Sequence, residues 1–113
     1  MSKKEFPRRG DVFLVSLDPT IGTEIQKTRP AVIVSNDASN EMSTRIIVAP
    51  ITSSATHLYP FEASITVAGK KGKVLLDQIR SLDKQRLSTK ITSVDDRTQE
   101  EIDTALKIAL ALR

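Results

Sequence analysis

The stretch Gln26-Lys27-Thr28-Arg29-Pro30-Ala31-Val32-Ile33-Val34-Ser35-Asn36 decides how the chain is read. Ala31 to Val34 is an unbroken apolar run, mostly β-branched. Such a run, with no polar alternation, reads as a strand buried on both faces. Pro30 fits the first residue of a strand, where a missing N–H does least harm. A residue before proline is driven out of the helical region into extended conformations. Arg29 is therefore held at the mouth of a rigid strand with a restricted backbone. A permanently charged, fork-shaped guanidinium fixed in this way suits a phosphate. The plain alternative is an edge arginine in solvent.

Upstream, Gly10-Asp11 reads as a turn and Val12 to Leu17 as a first strand. Asp18 to Glu24 is a loop with two breakers, Pro19 and Gly22, which delivers the chain to Arg29. Downstream, Asn36 to Met42 is polar and reads as a loop or one short helical turn, with Asp37 as its N-cap. Arg45 to Ala49 is a third strand ended by Pro50. Thr52-Ser53-Ser54 gathers hydroxyls where that strand stops. Phe61 to Val67 alternates apolar and polar, as a half-buried strand does. Gly69 to Gly72 reads as a basic hairpin loop, followed by a strand over Lys73 to Ile79. Leu82, Leu87, Ile91 and Val94 are spaced for one more short strand with its turns. Thr98-x-x-Glu101 has the form of a capping box. Behind it, Ile102, Leu106, Ala109 and Leu110 fall on one face of an amphipathic helix. Short, closely spaced strands before a single closing helix predict a mainly β fold. The expected form is a small antiparallel barrel, or strongly bent sheet, with the C-terminal helix packed on it.

At 113 residues the chain reads as a single domain, 1–113. Hydrophobic residues make up 39% and charged residues 27%, the balance of a globular rather than a disordered sequence. There is no cysteine, which excludes disulfides, thiol catalysis and thiolate metal sites. A lone histidine, His57, argues against zinc, so no metal and no cofactor is expected. Met1 to Glu5 lacks the apolar core of a signal peptide, and no apolar run approaches membrane-spanning length. A cytoplasmic protein with no membrane partner is the expectation. The net charge of +3 permits an anionic partner without demanding one. It is unevenly spread: Lys3, Lys4, Arg8 and Arg9 crowd the start, and Lys70, Lys71 and Lys73 crowd the Gly-flanked stretch. Charge runs of this kind are usually solvated faces.

Five stretches, taken in order and spacing, resemble the MazF/PemK family of toxins. They are Arg9-Gly10-Asp11-Val12, Gly22-Thr23-Glu24, Lys27 to Asn36, Val48-Ala49-Pro50-Ile51-Thr52-Ser53, and Leu76-Asp77-Gln78-Ile79-Arg80-Ser81-Leu82-Asp83. The closing helix matches in type only. The resemblance implies a small SH3-like barrel, a homodimer, and the toxin of a prokaryotic type II toxin–antitoxin system. It implies metal-independent cutting of single-stranded RNA at a short base motif, which stops translation and growth. It also implies a cognate antitoxin that lays a disordered tail across the RNA groove, and DNA binding by the toxin–antitoxin complex. By position, Arg29 and Thr52 match the family's catalytic pair, and Asp77 and Gln78 a second active-site stretch. Leu75 stands where some members have an arginine proposed as an acid. Thr23 stands where some have a histidine.

The residues themselves suit that chemistry. RNA is cut when its 2′-OH attacks the adjacent phosphorus, provided a proton is removed, negative charge is stabilised and the leaving 5′ oxygen is protonated. Arg29 can bridge two phosphate oxygens but stays protonated and is a poor base. Thr52 can hydrogen-bond the phosphate or orient the 2′-OH; otherwise it caps its own loop. Asp77 is a candidate base, since it follows the apolar Val74-Leu75-Leu76 and partial burial would raise its pKa. Its alternative is a partner for Arg80. The candidates for substrate contact are Glu24, Lys27, Thr28, Ser53, His57 and Gln78. Glu24 reads first as a brace for the loop around Arg29, and Gln78 as structural or base-reading. His57 has the intrinsic pKa for acid–base work but no obvious partner. Tyr59 and Phe61 could stack on bases, with at least one of them expected in the core. Two competing functions are a barrel that binds RNA or protein without cutting, and a topoisomerase poison on the same fold.

Overall fold

A computed structural model describes residues 5–16, 28–53 and 57–113. The strands are β1 (Asp11–Ser16), β2 (Thr28–Ile33), β3 (Arg45–Thr52), β4 (Glu62–Val67), β5 (Lys70–Leu75), β6 (Arg80–Asp83) and β7 (Leu87–Ser93). The helices are α1 (Asp37–Met42) and α2 (Asp96–Ala109), and two short 3-10 turns, Leu76–Gln78 and Lys84–Arg86, flank β6. All pairings are antiparallel, in the order β4-β5-β3-β2-β1-β7, with β6 on β3.

Period-2 alternation sorts the apolar side chains into two cores. Val12 of β1, Val32 of β2, and Ala49 and Ile51 of β3 face one side, where Ala63, Ile65, Val74, Leu76 and α2's Ile102 and Ala105 meet them. Val15, Ala31, Ile33, Ile46 and Val48 face the other side with Leu82, and Phe13 and Leu87 pack on this cluster. β2 is thus buried on both faces over Ala31–Ile33, as its unbroken apolar run predicts. The sheet is a curled half-barrel. β4 and β7 are the two ends of the strand order, yet Ser64–Thr66 and Thr92–Val94 line one cleft together. α2 closes the first core.

Several boundaries differ from the sequence reading, each for a physical reason. Pro50 lies inside β3 rather than ending it. On one edge β3 pairs β6 over Arg45–Val48 and then β5 over Ile51 and Thr52. Pro50 falls in the gap between those partners, where a missing N–H is tolerated. Lys70 to Gly72 belong to the strand that continues through Lys73, not to a loop, and that strand ends at Leu75. The turn is only Ala68-Gly69, both at positive φ (51° and 80°), a two-residue hairpin that sets Val67 opposite Lys70. Leu82 to Val94 makes two strands, β6 and β7, around a 3-10 turn. The cap of α1 is Asn36, whose side chain accepts from the Ser39 N–H, not Asp37. The cap of α2 is Asp95, which accepts from the Thr98 N–H at 2.8 Å, so Thr98 lies in the first turn.

Two polar clusters are joints between elements. The Asp11 carboxylate is buried and accepts from the Arg8 N–H and the Ser93 hydroxyl. Arg9 donates to Asp103 on α2 at 2.9 Å, and its N–H donates to Asp37 on α1. Gly10 has φ +93°, and a Cβ there would lie 2.7 Å from the Gln99 side chain of α2. Ser35 and fully buried Asn40 form the second joint. The Ser35 hydroxyl donates to Asn40 and accepts from the Ile47 N–H, and Asn40 donates back to the Ser35 carbonyl. It locks the crossing from β2 through α1 to β3.

Candidate active site

β2 and β3 register Ile33 with Val48, Val32 with Ala49 and Ala31 with Pro50. Two steps beyond the last pair, the same register meets Arg29 and Thr52. Both side chains line one cleft of about 480 Å³ with Ser53. Pro30 and Ile51 belong to it, and so do Val67, Lys70, Lys71 and Gly72 of the β4–β5 hairpin and Ile91 of β7. The cleft therefore sits where the two ends of the curled sheet approach each other. Ile51, Val67, Ile91 and Pro30 give it apolar walls. Arg29, Lys70 and Lys71 are exposed, and none of their side chains has a hydrogen-bond or ion-pair partner among the described residues. Thr52 is half-buried. Gly72 is buried, and a Cβ there would stand 2.5 Å from the Thr52 carbonyl oxygen, so β5 approaches Thr52 as closely as it does only because Gly72 has no side chain.

Thr28 lies at the exposed start of β2, opposite Ser16. Asp77 and Gln78 are exposed on the 3-10 turn after β5 and are not among the cleft's lining residues. Burial of Asp77, expected from the apolar residues before it, is absent; Leu76 takes the buried place instead. Glu24 and Lys27, with Thr23, lie outside the described residues. In the sequence Lys70 and Lys71 are part of a basic run of the kind that is usually a solvated face. The signal that could have found them is the alternation of Phe61–Val67 running straight into Ala68-Gly69, which demands a paired strand directly afterwards.

His57 does have a partner. Its ring meets Tyr59 edge to face at 4.4 Å, and Tyr59 stacks on Phe61 at 5.4 Å. Phe61 is half-buried and Tyr59 exposed. Lys73, opposite Thr52 on β5, pins this segment by donating to the His57 carbonyl at 2.6 Å and pairing with Glu62 at 3.0 Å. Burial pushes the Glu62 carboxyl up, but the Tyr59 N–H, the Lys73 ammonium and the nearby His57 outweigh it and hold the group below its ordinary value. Among the described residues, no three His, Asp or Glu side chains gather as a metal site would require.

The sequence pattern of the family described as "PemK-like, MazF-like toxin of type II toxin-antitoxin system" matches residues 8–110. Endoribonuclease EndoA of Bacillus subtilis (strain 168) is 39% identical over 117 residues, covering 93% of this chain and 95% of that protein. A mycobacterial endoribonuclease solved in complex with its cognate antitoxin superposes with a TM-score of 0.80 at 29% identity, covering 95% of this chain and 97% of that one. A MazE–MazF crystal structure from Deinococcus radiodurans gives a TM-score of 0.82 at 28% identity, covering 97% of this chain and all of that one. The curled sheet, the closing helix and the match over nearly the whole length agree: the chain belongs to the PemK-like, MazF-like toxin family of type II toxin–antitoxin systems.

Proposed function

We propose that this chain is an endoribonuclease toxin that cuts single-stranded RNA by internal attack of a 2′-OH. The observation that carries the reading is that Arg29 and Thr52 line one cleft with an apolar wall and two lysines that have no side-chain partner among the described residues. The name of the EndoA relative points to the same activity. In the proposed step the 2′ oxygen bonds to phosphorus and the bond to the 5′ oxygen breaks. The 2′-OH proton goes to a base, and the leaving oxygen takes one from Arg29 or water. Arg29 bridges two non-bridging oxygens where negative charge develops. Thr52 hydrogen-bonds the phosphate or orients the nucleophile. Asp77 is the proposed base: its carboxylate is exposed on a short turn and has no partner among the described residues. The products are a 2′,3′-cyclic phosphate and a 5′-OH, and the route itself calls for no metal ion.

The working form is a cytoplasmic homodimer held by a cognate antitoxin. The antitoxin complex of the mycobacterial endoribonuclease supports the second part. Ile108, Leu110 and Leu112 at the end of α2 are about half exposed, which supports the first. The basic balance favours an antitoxin with an acidic or amphipathic disordered segment. The test is to incubate the purified protein with a long RNA in EDTA, beside Arg29→Ala. Cutting by the unaltered protein alone is expected. RNA bound but left whole would favour the non-catalytic barrel, and trapped topoisomerase on DNA without RNA cutting would favour the poison.

A further inference from the structure

We infer that Lys70 and Lys71 hold the RNA phosphate next to the scissile one, making the β4–β5 hairpin the second wall of a two-phosphate site. The inference rests on the endoribonuclease reading of the Arg29–Thr52 cleft and extends it to residues that reading leaves unused.

The topology supplies the geometry. β3 lies between β2 and β5 in the sheet. Arg29 and Pro30 of β2 therefore lie on one side of Ile51 and Thr52, and β5 lies on the other, where Thr52 registers with Lys73; Lys70 and Lys71 sit two or three residues further along β5, toward the turn, and line the same cleft. Two strand spacings separate β2 from β5, about 9.5 Å. Lys70 and Lys71 are displaced along β5 from the Arg29–Thr52–Lys73 row toward the hairpin end, so a nucleotide with a phosphate on each side reaches Arg29 with one and the lysines with the other. The volume of about 480 Å³ lies within the range of roughly 300–1,000 Å³ for small-molecule sites and exceeds what a lone phosphodiester fills. Ile51, Val67 and Ile91 offer the intervening sugar and base an apolar bed.

The lysines are also presented rather than merely exposed. Lys70 pairs with Val67 and Lys71 with Thr66 immediately after a two-residue turn; as consecutive strand residues they leave β5 on opposite faces, and both line the cleft at its hairpin edge. The next lysine shows what an occupied one looks like: Lys73 is committed to Glu62 and the His57 carbonyl. Lys90 likewise pairs with Asp11 at 3.4 Å. Lys70 and Lys71 have no such partner among the described residues. The choice of cation fits the division of labour. The Arg29 fork suits the phosphate whose geometry changes, while a lysine's point charge on a flexible stem grips a spectator phosphate without fixing its orientation.

The test compares the full chain with the double variant Lys70→Ala/Lys71→Ala, with Lys70→Arg/Lys71→Arg, and with Lys107→Ala, an exposed α2 lysine outside the cleft. Binding is measured against salt with an RNA oligonucleotide carrying a 2′-deoxy sugar at the cut, and cleavage with the all-ribose RNA. The double alanine variant should raise KM about tenfold, the worth of one charge-assisted contact, with kcat nearly unchanged. Its log–log salt slope should fall by about 0.7, one phosphate on a single strand. The arginine pair should restore both, and Lys107→Ala should change neither. A neutral methylphosphonate placed next to the cut should raise KM for the unaltered protein and add nothing in the double alanine variant. An unchanged slope and KM, a methylphosphonate effect that adds fully in the variant, or a loss confined to antitoxin binding would each overturn the assignment. RNA left uncut by the unaltered protein would overturn the endoribonuclease reading itself, so the two failures are distinguishable.

Discussion

Arg29 is presented to the cleft by the backbone around it. Pro30 restricts its conformation, β2 pairs it with Val15 of β1, and its guanidinium faces open solvent. An exposed side chain with no protein partner among the described residues contributes little to packing. Arg29→Ala should therefore change unfolding free energy by about 0.5 kcal/mol or less while abolishing cutting, a contrast that thermal melts beside a cleavage assay will measure. Arg29→Lys should also cut poorly, because a point charge lacks the bidentate fork; full activity would show that charge alone matters. Asp77→Asn should slow cutting about a hundredfold to ten-thousandfold with binding retained, as loss of a general base does. A normal rate in that variant would make Asp77 a surface residue and leave the site to Arg29 and Thr52. At this scale the sequence was legible where local chemistry is enough: Arg29, Thr52 and Ser53 were marked out and share the cleft. Lys70 and Lys71 were obscured by the run that contains them, and Asp77's exposure by the apolar residues preceding it.

At the scale of elements, β3 does the joining. One strand pairs β6, β2 and β5 in turn, and Thr52 sits at its last residue, where it registers with Lys73. Gly72 lets β5 come this close. Gly72→Ala should displace the Thr52 backbone and reduce kcat more than it raises KM. Gly69→Asn should be tolerated by comparison, since a Cβ there meets no atom within 4 Å and Asn accepts positive φ. Equal activity in the two variants would contradict the close-approach argument. The Glu62–Lys73 pair beside it sets a pH dependence. In the fold the Glu62 carboxyl is held below its ordinary value of 4.5, so it contributes stability above that pH and loses it as pH falls through the folded value. Melts of the parent and of Glu62→Gln should differ at neutral pH and converge below pH 4.5. A gap that persists in acid would contradict the clamp. Element types were readable from period and breakers, but boundaries were not. Pro50 could continue β3 only because its edge partner changes there, and the lysine run hid β5 until the two-residue turn at Ala68-Gly69 was known.

For the whole molecule, the decisive feature is a sheet that curls without closing. Short strands and a single closing helix foretold a bent antiparallel sheet capped by α2, and Ile102 and Ala105 are buried as that helix requires. The approach of β7 to the β4–β5 hairpin, which brings Ile91 to the same cleft as Lys70, was not legible. It is a contact between the two ends of the strand order, set by twist and packing rather than by any local signal. The cleft at that approach is where RNA would lie, with its own 2′-OH as the proposed nucleophile. The most direct test is to offer the protein, in EDTA, matched RNAs with and without a single 2′-deoxy sugar just before the cut, and to analyse the fragment ends. The deoxy RNA should be bound but left whole, and the ribose RNA should yield a 2′,3′-cyclic phosphate and a 5′-OH. Cutting of the deoxy RNA, or fragments bearing 5′-phosphates, would make water the nucleophile and contradict attack by the 2′-OH.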